Sequence, residues 1–231
     1  MRPAFAPGEL DQSGLNLQAV FDLSTLPDEM LAQLGKEVAL ARYRQLILIG
    51  HGGKALWSAL KASGFDSEHP IDDFTIAAVH RWAVTGLSGR AYEIVYPGPG
   101  HVDLQALGKM AGWHHDSPFR VGINESWGPW FAYRAVVLAD SDFSPSLPQV
   151  SRSPCASCAQ APCNSACPAR AMTASGFSLS ECTAYRQAAD SECQTQCLAR
   201  SACPVGVEHR YDPAQMAHTY AMSLRWIKGW V

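Results

Sequence analysis

Cys155-Ala-Ser-Cys158-Ala-Gln-Ala-Pro-Cys163-Asn-Ser-Ala-Cys167-Pro168 gathers four thiols into one short run that closes on proline. A looser run follows, with Cys182, Cys193, Cys197 and Cys203-Pro204. These eight are all the cysteines of the chain, and none lies in the first 154 residues. Thiols bunched in this way serve as cross-links or as soft metal ligands. A disulfide framework belongs to oxidising compartments and to domains much smaller than 231 residues, and residues 1–30 carry no apolar segment behind a basic start. Structural zinc fits Cys155-x2-Cys158 and can recruit Cys163 and Cys167, because tetrahedral thiolate sites tolerate many spacings.

The two cysteine-proline pairs tilt the choice toward iron and sulfide. The first run is close to the bacterial ferredoxin pattern C-x2-C-x2-C-x3-C-P, with four residues instead of two between Cys158 and Cys163. In two-cluster ferredoxins the proline-linked cysteine of each run ligates the other cluster, so eight thiolates in two runs match two 4Fe-4S centres. The expected ligands are Cys155, Cys158, Cys163, Cys167, Cys182, Cys193, Cys197 and Cys203. One cluster with an incomplete second site is the alternative, because the second run is irregularly spaced.

Working outward, 47% hydrophobic and 10% aromatic residues suffice for a packed core, and 17% charged residues is low for a disordered chain. A net charge of −3 gives no generic attraction to phosphate backbones, and no basic patch points to nucleic acid. The longest apolar runs, Leu46–Ile49 and Ala135–Ala139, are strand-sized, so no membrane span is expected and the reading is a soluble, cytoplasmic protein. The cysteine map divides the chain into a body (1–148), a cysteine module (149–210) and a C-terminal helix (211–231) packing back on the body.

Within the body, Leu26-Pro27-Asp28-Glu29 opens a helix expected over 27–43. Gln45–Ile49 reads as a buried strand, followed by the turn Gly50-His51-Gly52-Gly53-Lys54 and a helix carrying Leu56, Trp57 and Leu60. That glycine turn is either a plain strand-to-helix turn or a phosphate cradle. A helix after His69-Pro70, a strand at Ala91–Tyr96, a helix over Leu104–Met110 and strands at Arg120–Ile123 and Phe131–Leu138 complete the body. A helical pattern from Met216 to Trp226 ends the chain.

The stretch from Leu107 to Pro168 carries Gly112-Trp113, Ser117-Pro118, Gly122-Ile123 and Trp127-Gly-Pro-Trp-Phe-Ala-Tyr-Arg134-Ala-Val-Val-Leu138 before the cysteines. It resembles the superfamily of epoxyqueuosine reductases, reductive dehalogenases and cobalamin-processing decyanase and dealkylase proteins. Trp127–Leu138 is similar to their G-G-W-F-A-I-R-G-V-V-L segment, and Cys182-Thr-Ala-Tyr185 resembles a C-I-S-Y element before the last cysteines. The resemblance implies an α+β fold: a flavin-reductase- or nitroreductase-like body with a central antiparallel sheet and flanking helices, joined to a C-terminal ferredoxin-like iron–sulfur module. It further implies two clusters feeding electrons to a corrinoid. Asn124 departs from the pattern, standing where the cobalamin-processing proteins have histidine.

On this reading Trp127, Gly128, Trp130 and Phe131 form an apolar wall against a cofactor, and Arg134 meets an anionic or carbonyl group. Ordinary core packing, with Arg134 paired to Asp140 or Glu125, is the competing account. His114-His115-Asp116 and His51 are candidates for an axial or proton-donating histidine, with a surface loop as the alternative for the first group. The expected function is an iron–sulfur oxidoreductase or electron-transfer protein that passes single electrons to a bound corrinoid or substrate. The alternatives are a non-catalytic corrinoid carrier with structural metal, and a flavin enzyme using the Gly50–Lys54 turn. The partner is a redox protein or small-molecule acceptor, and the oligomeric state is open.

Overall fold

A computed structural model describes residues 2–228, and the chain divides into two units. The first comprises Met1–Gly112 and Ala132–Val150, the second Trp113–Phe131 and Ser151–Val231. The sequence reading cut the chain into 1–148, 149–210 and 211–231. In the structure the second unit also takes Trp113–Phe131, and it includes the C-terminal helix that was expected on the body.

The first unit contains a four-stranded sheet in the order β1-β2-β4-β3, with β1 at Leu17–Asp22, β2 at Gln45–Gly52, β3 at Tyr92–Tyr96 and β4 at Phe131–Ala139. β1 is antiparallel to β2, and β3 to β4. The centre of the sheet is apolar on both faces. Ile47, Ile49, Ala135, Val137 and Ala139 share one core with the helices, while Leu46, Leu48, Val136 and Leu138 are buried as well. This is why β2 and β4 read as continuous aliphatic runs and not as alternating patterns.

The helices of this unit are α1 (Glu9–Gln12), α2 (Asp28–Leu34), α3 (Ala55–Ser63), α4 (Pro70–Gly86) and α5 (Leu104–Met110). α4 starts with Pro70 in its first turn and Asp72 and Asp73 at its positive end. It buries Ile71, Phe74, Ala78, Val79 and Trp82 at helical spacing in the core shared with Leu56, Trp57 and Leu60 of α3. Each such Ile, Leu, Val or Phe side chain contributes about 1.5–3 kcal/mol when fully buried. The helix expected over 27–43 stops at Leu34, because Gly35 caps it and only a 3-10 turn at Leu40–Arg42 follows. β1 is an element that the sequence reading missed.

The second unit is a chain of short pieces: α6 (Pro162–Ser165), a two-stranded ribbon of β5 (Met172–Thr173) and β6 (Gly176–Phe177), α7 (Leu179–Gln187), α8 (Leu198–Ser201) and α9 (Pro213–Lys228). α9 packs against α7 and the 3-10 turn Glu192–Gln194. The strand expected at Arg120–Ile123 does not form. Arg120 has a left-handed φ of 64°, and only Ile123 makes a β-bridge, to His115. No helix among the described residues is long and apolar enough to cross a membrane.

Candidate metal centres

All eight cysteines lie in the second unit as free thiols, none in a disulfide. They sort into two sets of four, which their mutual electrostatics reveal. Burial pushes the Cys155 thiol up, and Cys203, Cys163 and Cys158 push it further. Cys163 is raised by burial, then by Cys203 and Cys158, and Cys203 by burial and Cys158. The other set is equally closed: burial, Cys197, Cys167 and Cys193 raise Cys182, and burial, Cys197 and Cys167 raise Cys193. The first set is therefore Cys155, Cys158, Cys163 and Cys203, and the second Cys182, Cys193, Cys197 and Cys167. Each run contributes three cysteines to one set and sends its proline-linked cysteine to the other.

Two one-turn helices produce this exchange. α6 holds Cys163 in its first turn and ends at Ser165, two residues before Cys167. The extra residues between Cys158 and Cys163 are absorbed there: Ala161 takes a left-handed φ of 38° and Pro162 opens the helix. α8 does the same for the second run, starting at Cys197 and handing on to Cys203, whose amide bonds the Arg200 carbonyl at 3.2 Å. α6 and α8 pack against each other. The extra residues of the first run thus form the turn that enters α6, and those between Cys197 and Cys203 hold α8.

Backbone amides reach the sulfurs. The Arg200 N–H points at Cys197 Sγ at 3.5 Å, and amides at Asn164, Leu198 and Val205 hold down the thiols of Cys163, Cys193 and Cys203 against the effect of burial. Arg186 acts in the same direction on Cys182 and Cys193, and Arg210 on Cys203. Such donors and cations favour thiolate over thiol and tune any metal group bound there. The four cysteines of the second set line one cavity of about 320 Å³, together with Phe119, Met172, Arg186 and Arg200. A water's share of liquid volume is about 30 Å³, so this cavity admits a group larger than one ion. Among the described residues no three Cys, His, Asp or Glu side chains stand close enough to hold a single metal ion. Two sets of four soft ligands, each partly desolvated and met by N–H donors, fit a 4Fe-4S group in each.

The other candidates are engaged in packing within their own units. The Trp127 ring lies 4.4 Å from that of His209, and Trp130 is wholly buried beneath the Arg200 guanidinium, 4.7 Å away, and edge-on to Tyr211. Gly128 sits so tightly on the Val205 carbonyl that an added Cβ would fall 2.0 Å from its oxygen, and Phe131 is buried. Arg134 donates from Nε to Nδ1 of buried His51 at 3.0 Å, and Asp140 pairs with Arg44. Trp127, Gly128, Trp130 and Phe131 belong to the second unit and Arg134 to the first. Asn124 builds its own loop: Oδ1 accepts from the Trp127 amide at 2.7 Å, and Nδ2 donates to the Trp113 carbonyl at 3.1 Å.

His114 is buried with Nε2 3.3 Å from Asp116, and His115 Nε2 lies 2.8 Å from the Ser151 hydroxyl. The glycine turn is closed to phosphate at Gly52, whose N–H and C=O are both bonded by the Asn16 side chain. Arg186 and Arg200 are the site residues that the sequence reading missed. The signal was present, as Cys182 and Arg186 stand four apart on one helix, and Cys197 and Arg200 three apart.

No protein-family model matches the chain, and no curated protein sequence is significantly similar to it. Solved structures do match. Epoxyqueuosine reductase bound to a tRNA-Tyr epoxyqueuosine-modified stem loop aligns with a TM-score of 0.55 at 12% identity, over 91% of this chain and 67% of that one. The enzyme from Streptococcus thermophilus aligns at 0.50 and 12%, over 87% and 65%. This chain thus spans about two thirds of the length of those reductases. The C. elegans B12-trafficking protein CblC, a homologue of human MMACHC, aligns at 0.53 and 15%, over 97% of this chain and 93% of that one. The chain therefore has the fold seen in these solved structures.

Proposed function

We propose that the chain is an iron–sulfur redox protein in which the second unit, a ferredoxin-like module, holds two 4Fe-4S clusters. In this reading the first unit is the flavin-reductase- or nitroreductase-like body and the acceptor is a corrinoid or a corrinoid-dependent substrate. The observation that carries the proposal is the closed division of eight cysteines into two sets of four with their proline-linked members exchanged. When bound, each cluster supplies reversible one-electron transfer. The chain's own residues hold the sulfurs, exclude water from them and set their charge. α6 lies between the Cys163 and Cys167 ligands and α8 between Cys197 and Cys203, so each joins a ligand of one set to a ligand of the other. The corrinoid rests on the fold likeness to a B12-trafficking protein, and the Asn16 bonds to Gly52 speak against a flavin phosphate at the glycine turn.

The test is anaerobic purification with iron, acid-labile sulfide and zinc measured per chain, followed by visible spectra before and after dithionite and with added cobalamin. About eight iron and eight sulfide, bleaching on reduction, and a shifted corrinoid spectrum are expected. Zinc without bleaching refutes electron transfer. Bleaching with an unmoved corrinoid spectrum refutes cobalamin as the acceptor and leaves the clusters standing.

A further inference from the structure

Arg186 and Arg200 are more than nine-tenths buried, at 8% and 5% exposure, and both line the cavity of the second cysteine set. Among the described residues neither meets a carboxylate. Arg186 donates to the Cys193 carbonyl, the Ser223 hydroxyl and the Tyr220 carbonyl at 2.9–3.1 Å. Arg200 donates twice to the Pro129 carbonyl, and its guanidinium lies between the rings of Trp130 and Tyr211. Neutral partners fix both guanidinium groups in place but leave their charge uncompensated, a costly state in a low-dielectric interior. The first set has a weaker counterpart in Arg210, which is only partly buried.

We propose that Arg186 and Arg200 are positioning residues that balance the negative charge of a cluster held by Cys167, Cys182, Cys193 and Cys197, so that this cluster has the higher reduction potential and is where an incoming electron rests. This rests on the iron–sulfur reading above. An added electron makes the cluster more negative, and two fixed cations at short range stabilise that state more than the oxidised one. The electron comes from an external one-electron donor, the core gains one unit of negative charge, and no bond forms or breaks.

The experiment is a potentiometric titration of the anaerobically loaded full chain, followed by electron paramagnetic resonance, with Cys182→Ser used to assign the second-set signal. In wild type that signal should be reduced first. Arg186→Gln at full iron content should lower its potential by an amount equivalent to about tenfold in the electron-transfer equilibrium, about 59 mV for one electron, and move the other signal less. Arg186→Lys should stay near wild type. An unmoved potential in Arg186→Gln, or an equal shift in both signals, overturns the proposal while the clusters stand. A wild-type chain that takes up no iron overturns the iron–sulfur reading, and this one with it. If Arg186→Gln does not load, Arg186→Lys decides: normal loading and potential support the role of charge, and failure to load overturns it.

Discussion

Gly206→Ala should open the joint that fastens the last cysteine. Gly206 follows Cys203-Pro204-Val205 and has a φ of +65°, and a Cβ built on it falls 2.5 Å from the Trp127 carbonyl group and 2.6 Å from the Gly128 amide nitrogen. Gly64 provides the comparison, because its φ is also +65° but nothing lies within 4 Å of its added Cβ. At either site alanine in the left-handed region costs about 1–2 kcal/mol, less about 0.4–1 kcal/mol regained from a stiffer unfolded chain. Gly64→Ala should therefore lose about 0.5–1 kcal/mol. Gly206→Ala adds the overlap with backbone atoms that have no side-chain torsion to yield, about 1–3 kcal/mol more, for a total near 2–4 kcal/mol. Urea unfolding of the metal-free chain, followed by fluorescence, reports both, since Trp57 and Trp82 mark the first unit and Trp127 and Trp130 the second. Iron uptake should also fall in Gly206→Ala and not in Gly64→Ala. Equal losses in the two variants would refute the reasoning.

The pairing of the cysteines makes a second prediction. Cys163→Ser and Cys167→Ser lie four residues apart in one run yet should damage different clusters, the first matching Cys203→Ser in its magnetic resonance spectrum and the second matching Cys182→Ser. If Cys163→Ser and Cys167→Ser give the same spectrum, the exchange is wrong. At Asp22, burial alone would raise the carboxyl, but the Gln45 amide and both contacts from Arg2 outweigh it and hold it below its usual value. Its contribution is present above the unfolded carboxylate range and lost as pH falls through the folded value. Asp22→Asn should thus lower the urea midpoint at about pH 7 and cost progressively less toward pH 3, a gap that must shrink if the account holds. Burial pushes the Tyr220 hydroxyl up to about 12, so an ultraviolet titration of the folded protein should show a late step from this tyrosine. Tyr220→Phe should remove that late step, and an unchanged curve would contradict it.

How much was legible follows from where local signals agree with tertiary ones. The aliphatic runs at Gln45–Ile49 and Phe131–Leu138, and the helices opened by Pro70 and Asp103, gave correct elements because their burial is written in their own composition. β1 escaped because Leu17–Asp22 is short, with glutamine and aspartate inside it, and owes its identity to β2 pairing along its whole length. Gly35 is an ordinary stop signal, overridden in the reading by the apolar residues beyond it. The cysteines were legible as a group, while their exchange between sets followed only from the ferredoxin precedent. For Trp130 and Arg134 the sequence could not distinguish a ligand wall from packing, since an aromatic or a guanidinium gives the same letter whether its partner is a cofactor, Arg200 or His51.

The exchanged cysteines also decide what a dissected version of this module can do. A cut in the turn between β5 and β6, at Ala174-Ser175, separates the runs cleanly in sequence. Each fragment would then hold three ligands of one centre and a single ligand of the other, so neither peptide contains a finished site of either kind. The two halves are interlocked in the manner of clasped hands: metal taken up by one is an incomplete purchase until the other supplies its remaining thiolate. Inheritance of the module, and its transplantation into another protein, is therefore all or nothing across Cys155–Cys203.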